Sequence, residues 1–199
     1  MNTIYLTVTN AKGGVAKTTT AMHLATAFSN KGLDAEVWDA DPQGSASGWA
    51  ETAESLGEPL PFRVEAVNNR TLRSKSSKAD IVLIDTPPAY ADTIDLAVRR
   101  ADLVLLLTSP SEADLEQVVS GISYLPQDKP YAVLITNANM RTKLYKDVLD
   151  FLKERDIPFF DHSIKSLQVI RTNWNHHPKD LAGYDSVADE ISKIFRDGE

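Results

Sequence analysis

The chain has 199 residues, 42% hydrophobic and 25% charged, which suits one globular domain with its own core and is short for two. It contains no cysteine, so a disulfide framework, a thiolate zinc site and an iron–sulfur cluster are excluded. The net charge at pH 7 is −7, so nucleic-acid binding would require a local basic patch. An apolar strand at the very start leaves no room for a signal peptide and no run has the length of a membrane span, so a cytoplasmic location is expected.

Strands and helices are predicted to alternate along the chain. Several apolar runs lack polar alternation, as strands buried on both faces do, and helix-length segments separate them. This predicts an α/β fold, a mainly parallel twisted sheet with helices on both faces, in one domain over residues 1–199. The predicted strands are Thr3–Thr9, Ala35–Trp38, Phe62–Val67 (an edge strand), Ile81–Ile84, Leu103–Leu107, Tyr131–Ile135 and a short one near Ile157–Phe160. The predicted helices are Ala21–Phe28, Ser45–Ser55, a short one with a loop in Asn69–Ser77, Tyr90–Arg100, Glu112–Tyr124, one with Leu144, Val148, Phe151 and Leu152 on its inner face, and Ser186–Phe195.

A glycine-containing loop, Asn10–Thr20, lies between the first strand and the first helix. The order strand, glycine loop, Lys-Thr and helix is the context of a phosphate-binding loop, because glycine lets backbone N–H groups turn toward phosphate oxygens and the helix adds its positive end. In such a loop Lys17 reaches the β- and γ-phosphates and Thr18 holds Mg²⁺. A plain glycine turn between a strand and a helix is the alternative interpretation.

The strand Ile81–Asp85 ends in a carboxylate, which is the Walker B form. In P-loop proteins such an aspartate lies beside the phosphate loop and holds Mg²⁺, usually through a water. Asp85 is therefore predicted to belong to the metal site together with Thr18. An aspartate that caps the loop after a strand is the alternative.

Three segments, in this order along the chain, resemble motifs of a known family. Lys12–Thr19 reads KGGVAKTT, Asp39–Gln43 reads DADPQ and Asp85–Pro88 reads DTPP. They are similar to the deviant Walker A motif and the two switches of the ParA/MinD family of P-loop ATPases, most of all its short partition-type ParA proteins. Ala16 departs from the pattern, because the family has glycine there and alanine tolerates fewer backbone conformations. The resemblance spans nearly the whole chain and implies the P-loop NTPase fold, with ATP and Mg²⁺ as cofactors.

The resemblance implies a role for each matching residue. Lys12 is expected to cross the interface of an ATP-sandwiched dimer and touch the partner's nucleotide, and Lys12, Lys17 and Asp41 form the expected catalytic set. Asp41 would orient the attacking water, and Asp39 would support the Mg²⁺ shell or the loop, although both aspartates could instead cap the helix that follows. The residues expected to bind the nucleotide along this loop are Lys12, Gly13, Gly14, Val15, Ala16, Lys17, Thr18 and Thr19.

Two further assignments fall in the C-terminal third. Asn137 follows the last long strand, where related ATPases place an asparagine against adenine; a simple turn asparagine is the alternative. The segment after it is loosely similar to the part of short ParA proteins in which basic residues help to bind DNA without sequence preference. Ordinary solvated cations are the alternative for each candidate. The candidates are Lys143, Lys146, Lys165 and Arg171.

The function implied by the resemblance is that of a slow, partner-stimulated ATP hydrolase. It would form a homodimer with ATP, bind non-specific DNA of the nucleoid, and segregate plasmid or chromosomal DNA with a small centromere-binding adaptor protein. A membrane-cycling regulator like MinD and an ATPase that positions a protein cluster are the alternatives. The C-terminal stretch Ile191–Glu199 is short and ends in acidic residues, so packing on the core, and no stable membrane association, is expected. Because the chain begins at the first strand, the helix-turn-helix extension of longer partition ATPases is not expected.

Overall fold

The computed structural model describes residues 2–10, 12–88 and 91–197. Three segments of the sequence predictions therefore extend beyond the described residues: Ala11 of the glycine loop, Tyr90 at the start of one helix, and the final Gly198-Glu199. The strands are β1 (Ile4–Thr9), β2 (Ala35–Asp39), β3 (Arg63–Ala66), β4 (Ile81–Asp85), β5 (Leu103–Thr108) and β6 (Tyr131–Ile135). The helices are α1 (Lys17–Asn30), α2 (Ser45–Ser55), α3 (Asn69–Ser74), α4 (Ala91–Arg100), α5 (Glu112–Tyr124), α6 (Lys143–Glu154), α7 (Gln168–Thr172) and α8 (Tyr184–Asp197).

The six strands form one parallel sheet in the order β3-β2-β4-β1-β5-β6. From β1 the chain moves to one side of the sheet to build β2 and β3, then returns through β4 and continues on the other side with β5 and β6. The strand order therefore reverses around β1. In open α/β sheets, ligands bind outside the carboxyl ends of the strands at this kind of reversal. The loop after β1 occupies that position.

Helices cover both faces of the sheet. Alternate residues of β5 point to opposite faces, so Leu105 lies in one core cluster and Leu106 in another. The first cluster contains residues of α1, α2 and α8, and the clusters on the opposite face contain residues of α3 to α6. Helix α1 is buried on nearly all sides, because it packs on the sheet while α2 and α8 cover it.

Most of the predicted elements are confirmed. Ser45–Ser55, Glu112–Tyr124 and Tyr131–Ile135 match residue for residue, and Phe62–Val67 is indeed an edge strand, shortened to Arg63–Ala66. Helix α1 begins at Lys17, four residues earlier than the clearest apolar spacing indicates. The fold-class prediction is confirmed, with every pair of the six strands parallel.

Three predictions about the C-terminal half are corrected. The segment Ile157–Phe160 forms an isolated parallel bridge between Val133 and Phe159 rather than a strand, since Pro158 has no N–H with which to extend a ladder. Leu144 is 50% exposed, because it lies in the first turn of α6, beyond the end of β6. Of the apolar residues in the final helix, Ile194 is 45% exposed, whereas Ile191 is buried and Phe195 packs against the core as predicted.

Helix α7 was not predicted, because five residues are too few to show helical periodicity.

A buried histidine joins α1 to the C-terminal segment. His23 is fully buried, with Nδ1 at 2.9 Å from the carbonyl oxygen of Thr19 and Nε2 at 3.1 Å from the amide nitrogen of Asn173. Its ring also contacts the rings of Trp49 and Tyr184, at centroid distances of 5.9 and 5.0 Å. Burial lowers the pKa of His23 to about 4, so the imidazole is neutral in the folded chain. The neutral ring donates through Nδ1 and accepts through Nε2, which satisfies both partners.

This histidine makes the stability of the fold dependent on pH. The pKa of His23 lies below its ordinary value, so the unfolded chain takes up the proton first as pH falls, and stability is lost from about pH 6.5 toward pH 4. When the pH falls from 7.5 to 5.5, which is still above the isoelectric point near 5.1, protonation of His23 in the unfolded chain should lower the unfolding free energy of the wild type by about 1 kcal/mol. Urea denaturation of wild type and His23→Gln at both pH values measures this, since glutamine does not titrate. Equal losses in the two proteins would contradict the assignment.

Candidate nucleotide site

The loop between β1 and α1 is attached to neighbouring strands by polar side chains. Asn10 is buried, and its amide donates to the carbonyl oxygen of Leu107 on β5 at 2.6 Å. The Asn10 side-chain oxygen accepts from the backbone N–H of Lys12 at 2.7 Å. Thr136, just after β6, donates its hydroxyl to the carbonyl oxygen of Val15 at 3.3 Å. The loop is thereby fixed across the carboxyl ends of β1, β5 and β6.

Two residues of this loop adopt left-handed backbone conformations. Gly14 has φ of +79°, which glycine adopts without strain. Ala16 has φ of 67° and ψ of 31° and is the N-cap of α1. Ala16 has no side-chain donor or acceptor with which to cap the helix, so the first turn of α1 presents backbone N–H groups without a side-chain cap. Such a helix end is suited to an anion, and a phosphate group fits it best among nucleotide components.

Lys17 lies at the centre of the site and is almost fully buried, at 7% exposure. Its Nζ donates to the carbonyl oxygen of Lys12 at 2.9 Å, so the side chain folds back over the loop. Burial lowers the pKa of Lys17, while the nearby carboxylates of Asp85 and Asp41 act in the opposite direction. The cation therefore lies between the glycine loop and two acidic side chains, which is the position expected for a lysine that contacts terminal phosphates.

Thr18 and Asp85 form the candidate metal pair. The Thr18 hydroxyl donates to Oδ2 of Asp85 at 2.6 Å. Asp85 is fully buried, and burial is the main reason that its pKa rises to about 7; the carboxylate of Asp39 adds to the rise. Within the described residues, the second oxygen, Oδ1, is buried without a hydrogen-bond partner. A hydroxyl and a carboxylate with a free buried oxygen are donors that Mg²⁺ accepts, so these residues fit the metal that the sequence predicts.

Asp39 is the last residue of β2, and Asp41 lies in the loop between β2 and α2. Oδ2 of Asp39 accepts from both the N–H and the hydroxyl of Ser47 at 2.8 Å, and Oδ1 accepts from the N–H of Asp41 at 3.2 Å. Of the two roles open to Asp39, this geometry favours loop support over a place in the metal shell. Asp41 is half-buried and accepts from the N–H of Gln43 at 2.9 Å, which orients its carboxylate. The negative charge of Asp41 acts on both neighbours, because it raises the pKa of Lys17 and that of Asp85.

A cavity of about 410 Å³ opens beside the loop. Asn137 lines it from the end of β6 and has φ of 51°, as a turn asparagine does, so the cavity brings the predicted base-binding residue to the phosphate loop. Leu144 provides an apolar wall. The remaining lining residues are Lys12, Gly13, Gly14, Val15, Ser109, Pro110, Asp114, Asn139 and Thr142.

Lys12 forms a contact that the sequence did not reveal. Its Nζ makes an ion pair with Oδ1 of Asp114, at the start of α5 in the same chain. Oδ2 of Asp114 accepts from the hydroxyl of Ser109. Burial alone would raise the pKa of Asp114, but hydrogen bonds from Lys12 and Ser109 outweigh it and hold the pKa below its usual value. Asp114 gives no local sequence signal, because it contacts Lys12 only through the pairing of β1 with β5.

The four candidate DNA-binding residues are exposed. Lys165 follows Ile164, whose N–H binds the carbonyl oxygen of Ile135 at 2.8 Å, and a parallel bridge joins Lys165 to Ala138. Lys165 thus lies just beyond the carboxyl end of β6, at the same edge of the sheet as the cavity. Lys143 and Lys146 lie on the first two turns of α6, and Arg171 lies on α7. No ion pair of these four side chains is found within the described ranges.

The fold and site define a nucleotide-binding protein of the P-loop class. The family model for the CobQ/CobB/MinD/ParA nucleotide binding domain matches residues 6–178. The chain belongs to this family. In the part of the chain that the structure describes, no helix is long and apolar enough to cross a membrane.

Known proteins similar to the chain include a relative and two solved structures. Maintenance of carboxysome distribution protein A of Gloeobacter kilaueensis is 34% identical, over 95% of this chain and 94% of that one. The Mycobacterium smegmatis cobyrinic acid a,c-diamide synthase with bound ATP analog and magnesium has a TM-score of 0.75 at 20% identity, covering 99% of this chain and 97% of that one. A plasmid partition protein from Borrelia burgdorferi has a TM-score of 0.66 at 19% identity, over the full length of both chains. At these identities the two structures support the fold alone.

The left-handed conformation of Ala16 should cost stability. For alanine this region is strained by about 1–2 kcal/mol, whereas glycine adopts it freely but loses more entropy on folding. We therefore expect Ala16→Gly to raise the unfolding free energy by about 0.5–1 kcal/mol in urea denaturation. Ala50→Gly, inside α2, is the matched control and should lower it by a similar amount, since glycine is a poor helix former. Destabilisation by both substitutions would contradict the strain at Ala16.

Proposed function

We propose that the protein is an ATPase that dimerises on binding ATP and Mg²⁺, binds DNA without sequence preference in that state, and distributes a cargo along it. A small adaptor protein on the cargo stimulates hydrolysis and so releases the dimer from DNA. The observation that carries this proposal is the convergence of the three family motifs on one site, where Thr18 contacts Asp85 beside the buried Lys17. Membership of a family that contains MinD and ParA supports the same reading.

The geometry supports the following proposed roles within the site. Lys17 and the uncapped N-terminus of α1 bind the phosphates, and Thr18 and Asp85 hold Mg²⁺. The metal supplies charge neutralisation between the phosphate oxygens. Asp41 orients the attacking water, because its carboxylate lies in the same charge environment as Lys17 and is held by the backbone of the following turn. Asp39 keeps that turn in place through Ser47.

The role of Asp41 can be separated from binding. Asp41→Asn removes the negative charge while keeping the shape, so we expect kcat to fall by about 10²–10⁴-fold with ATP affinity changed only a few-fold. Phosphate release in single-turnover reactions and equilibrium binding of a fluorescent ATP analogue measure the two quantities. Glu51→Gln, an exposed carboxylate on α2, is the matched control and should leave both unchanged. An Asp41→Asn protein with wild-type turnover would exclude Asp41 from the reaction.

DNA binding is the second test. Fluorescence anisotropy of a non-specific duplex is measured with ATP·Mg²⁺, ADP·Mg²⁺ or no nucleotide, at two salt concentrations. We expect binding only with ATP, weakened by salt because counterions are released. Lys165→Gln should weaken binding and lower the salt slope by about one unit, whereas Lys193→Gln, an exposed lysine on α8, should not. If the protein takes up ATP but binds DNA in none of these states, DNA is not the surface it acts on, and a membrane or protein surface takes its place in the proposal.

A second candidate concerns the cargo rather than the ATPase. The relative that matches over nearly its full length is named for the distribution of carboxysomes, which are not DNA. This observation favours a protein assembly as the cargo over a plasmid or a chromosome. Fluorescence microscopy distinguishes the two. Deletion of the gene would disturb either the even spacing of protein assemblies or the inheritance of a marked replicon.

A further inference from the structure

The strongest unassigned contact near the site is the ion pair between Lys12 and Asp114. Only 5% of the Asp114 side chain is exposed, whereas 50% of the Lys12 side chain is. Asp114 is fixed from several directions: Ser109 donates to its second carboxylate oxygen, and the Ser111 hydroxyl accepts from its backbone N–H at 3.2 Å. The aspartate is therefore the immobile member of the pair and Lys12 the mobile one.

The backbone of Lys12 is held as well. Asn10 accepts its N–H and Lys17 donates to its carbonyl oxygen. The loop can therefore keep its shape while the Lys12 side chain changes partners. Both members of the pair line the cavity beside the glycine loop, which Asn137, the predicted base-binding residue, also lines. Phosphate oxygens in that cavity and the Asp114 carboxylate would attract the same ammonium group.

Separation of this pair has a cost. Asp114 is buried, and Lys12 is its cationic partner among the described residues. When the cation leaves a buried carboxylate, the carboxylate is left as an uncompensated charge, which is unfavourable. If Lys12 serves a nucleotide held by a second copy of the chain, the protomer must first give up this contact.

We propose that Asp114 is a positioning residue that holds Lys12 within its own protomer and so opposes ATP-dependent dimerisation. The inference rests on the proposed function, in which Lys12 contacts the partner's nucleotide. Asp114 thereby sets how much ATP and protein are needed before the dimer forms. It adjusts the equilibrium between monomer and dimer without taking part in hydrolysis.

The test compares Asp114→Asn with wild type. The asparagine keeps the shape but loses the charge, so the dimer dissociation constant in AMPPNP·Mg²⁺ should fall by about tenfold in sedimentation equilibrium. Glu112→Gln removes an exposed charge from the same first turn of α5 and should change it less than about twofold, as expected for a screened surface charge. Asp114→Glu, which keeps the carboxylate, should remain close to wild type.

A second measurement uses the nucleotide-free protein and does not depend on dimers. Acylation of lysine amines, followed by mass spectrometry, should modify Lys12 several-fold more slowly than the exposed Lys193 in wild type, and the difference should disappear in Asp114→Asn. An equal rate at Lys12 and Lys193 in wild type would show that Asp114 does not hold Lys12 in solution. This result decides the matter even where Asp114→Asn does not fold.

The two proposals fail in different ways. A wild-type chain that binds AMPPNP but stays monomeric overturns the proposed function and this inference with it. A wild-type dimer that Asp114→Asn weakens or leaves unchanged overturns the inference alone. A pure fold defect would lower the melting temperature and raise acylation at many lysines together, rather than at Lys12.

Discussion

The hydrogen bond between Thr18 and Asp85 connects the central strand β4 to the first turn of α1, and the geometry of the site depends on it. A fully buried carboxylate is expensive, because desolvation favours its neutral form, and the pKa of Asp85 rises accordingly. The Thr18 hydroxyl and the nearby Lys17 offset only part of this cost. Oδ1 of Asp85 has no hydrogen-bond partner in the described part of the chain, so the offset is incomplete. This deficit fits the proposal that Asp85 holds a divalent cation, because such a cation would supply the missing charge.

The sheet brings the acidic groups together. In the pairing of β2 with β4, Asp39 lies directly opposite Asp85, so two strands end in carboxylates side by side. Like charges at this distance repel, and Asp39 contributes to the raised pKa of Asp85. Hydrogen bonds from different partners offset this repulsion. Asp39 accepts from Ser47 at the start of α2, whereas Asp85 accepts from Thr18. The register of the parallel sheet thus assigns different tasks to two residues of the same type.

Much of this arrangement could be predicted from the sequence, because its signals are local. Apolar runs predict the buried strands, and the glycine loop followed by Lys17 and Thr18 predicts the start of α1. The contacts that depend on tertiary structure could not be predicted. Asn10 and Asp114 act across β5, roughly a hundred residues from their partners in sequence, and no local pattern indicates such pairs. Leu144 has helical spacing with Val148, but its exposure depends on where α6 extends past the sheet.

The two lysines of the loop have partners within the chain. Lys17 donates to the carbonyl oxygen of Lys12, and Lys12 pairs with Asp114. At these two lysines phosphate oxygens would replace the present partners, so each of those contacts is an exchange whose net gain is a small part of its gross strength. The surrounding contacts hold Ala16 in its left-handed conformation despite the strain, which limits the reorganisation that binding requires. An exchange of this kind would limit the affinity of a single protomer for phosphate groups. A second copy would add contacts that offset the loss of the Lys12–Asp114 pair, and so would shift the balance toward the liganded dimer.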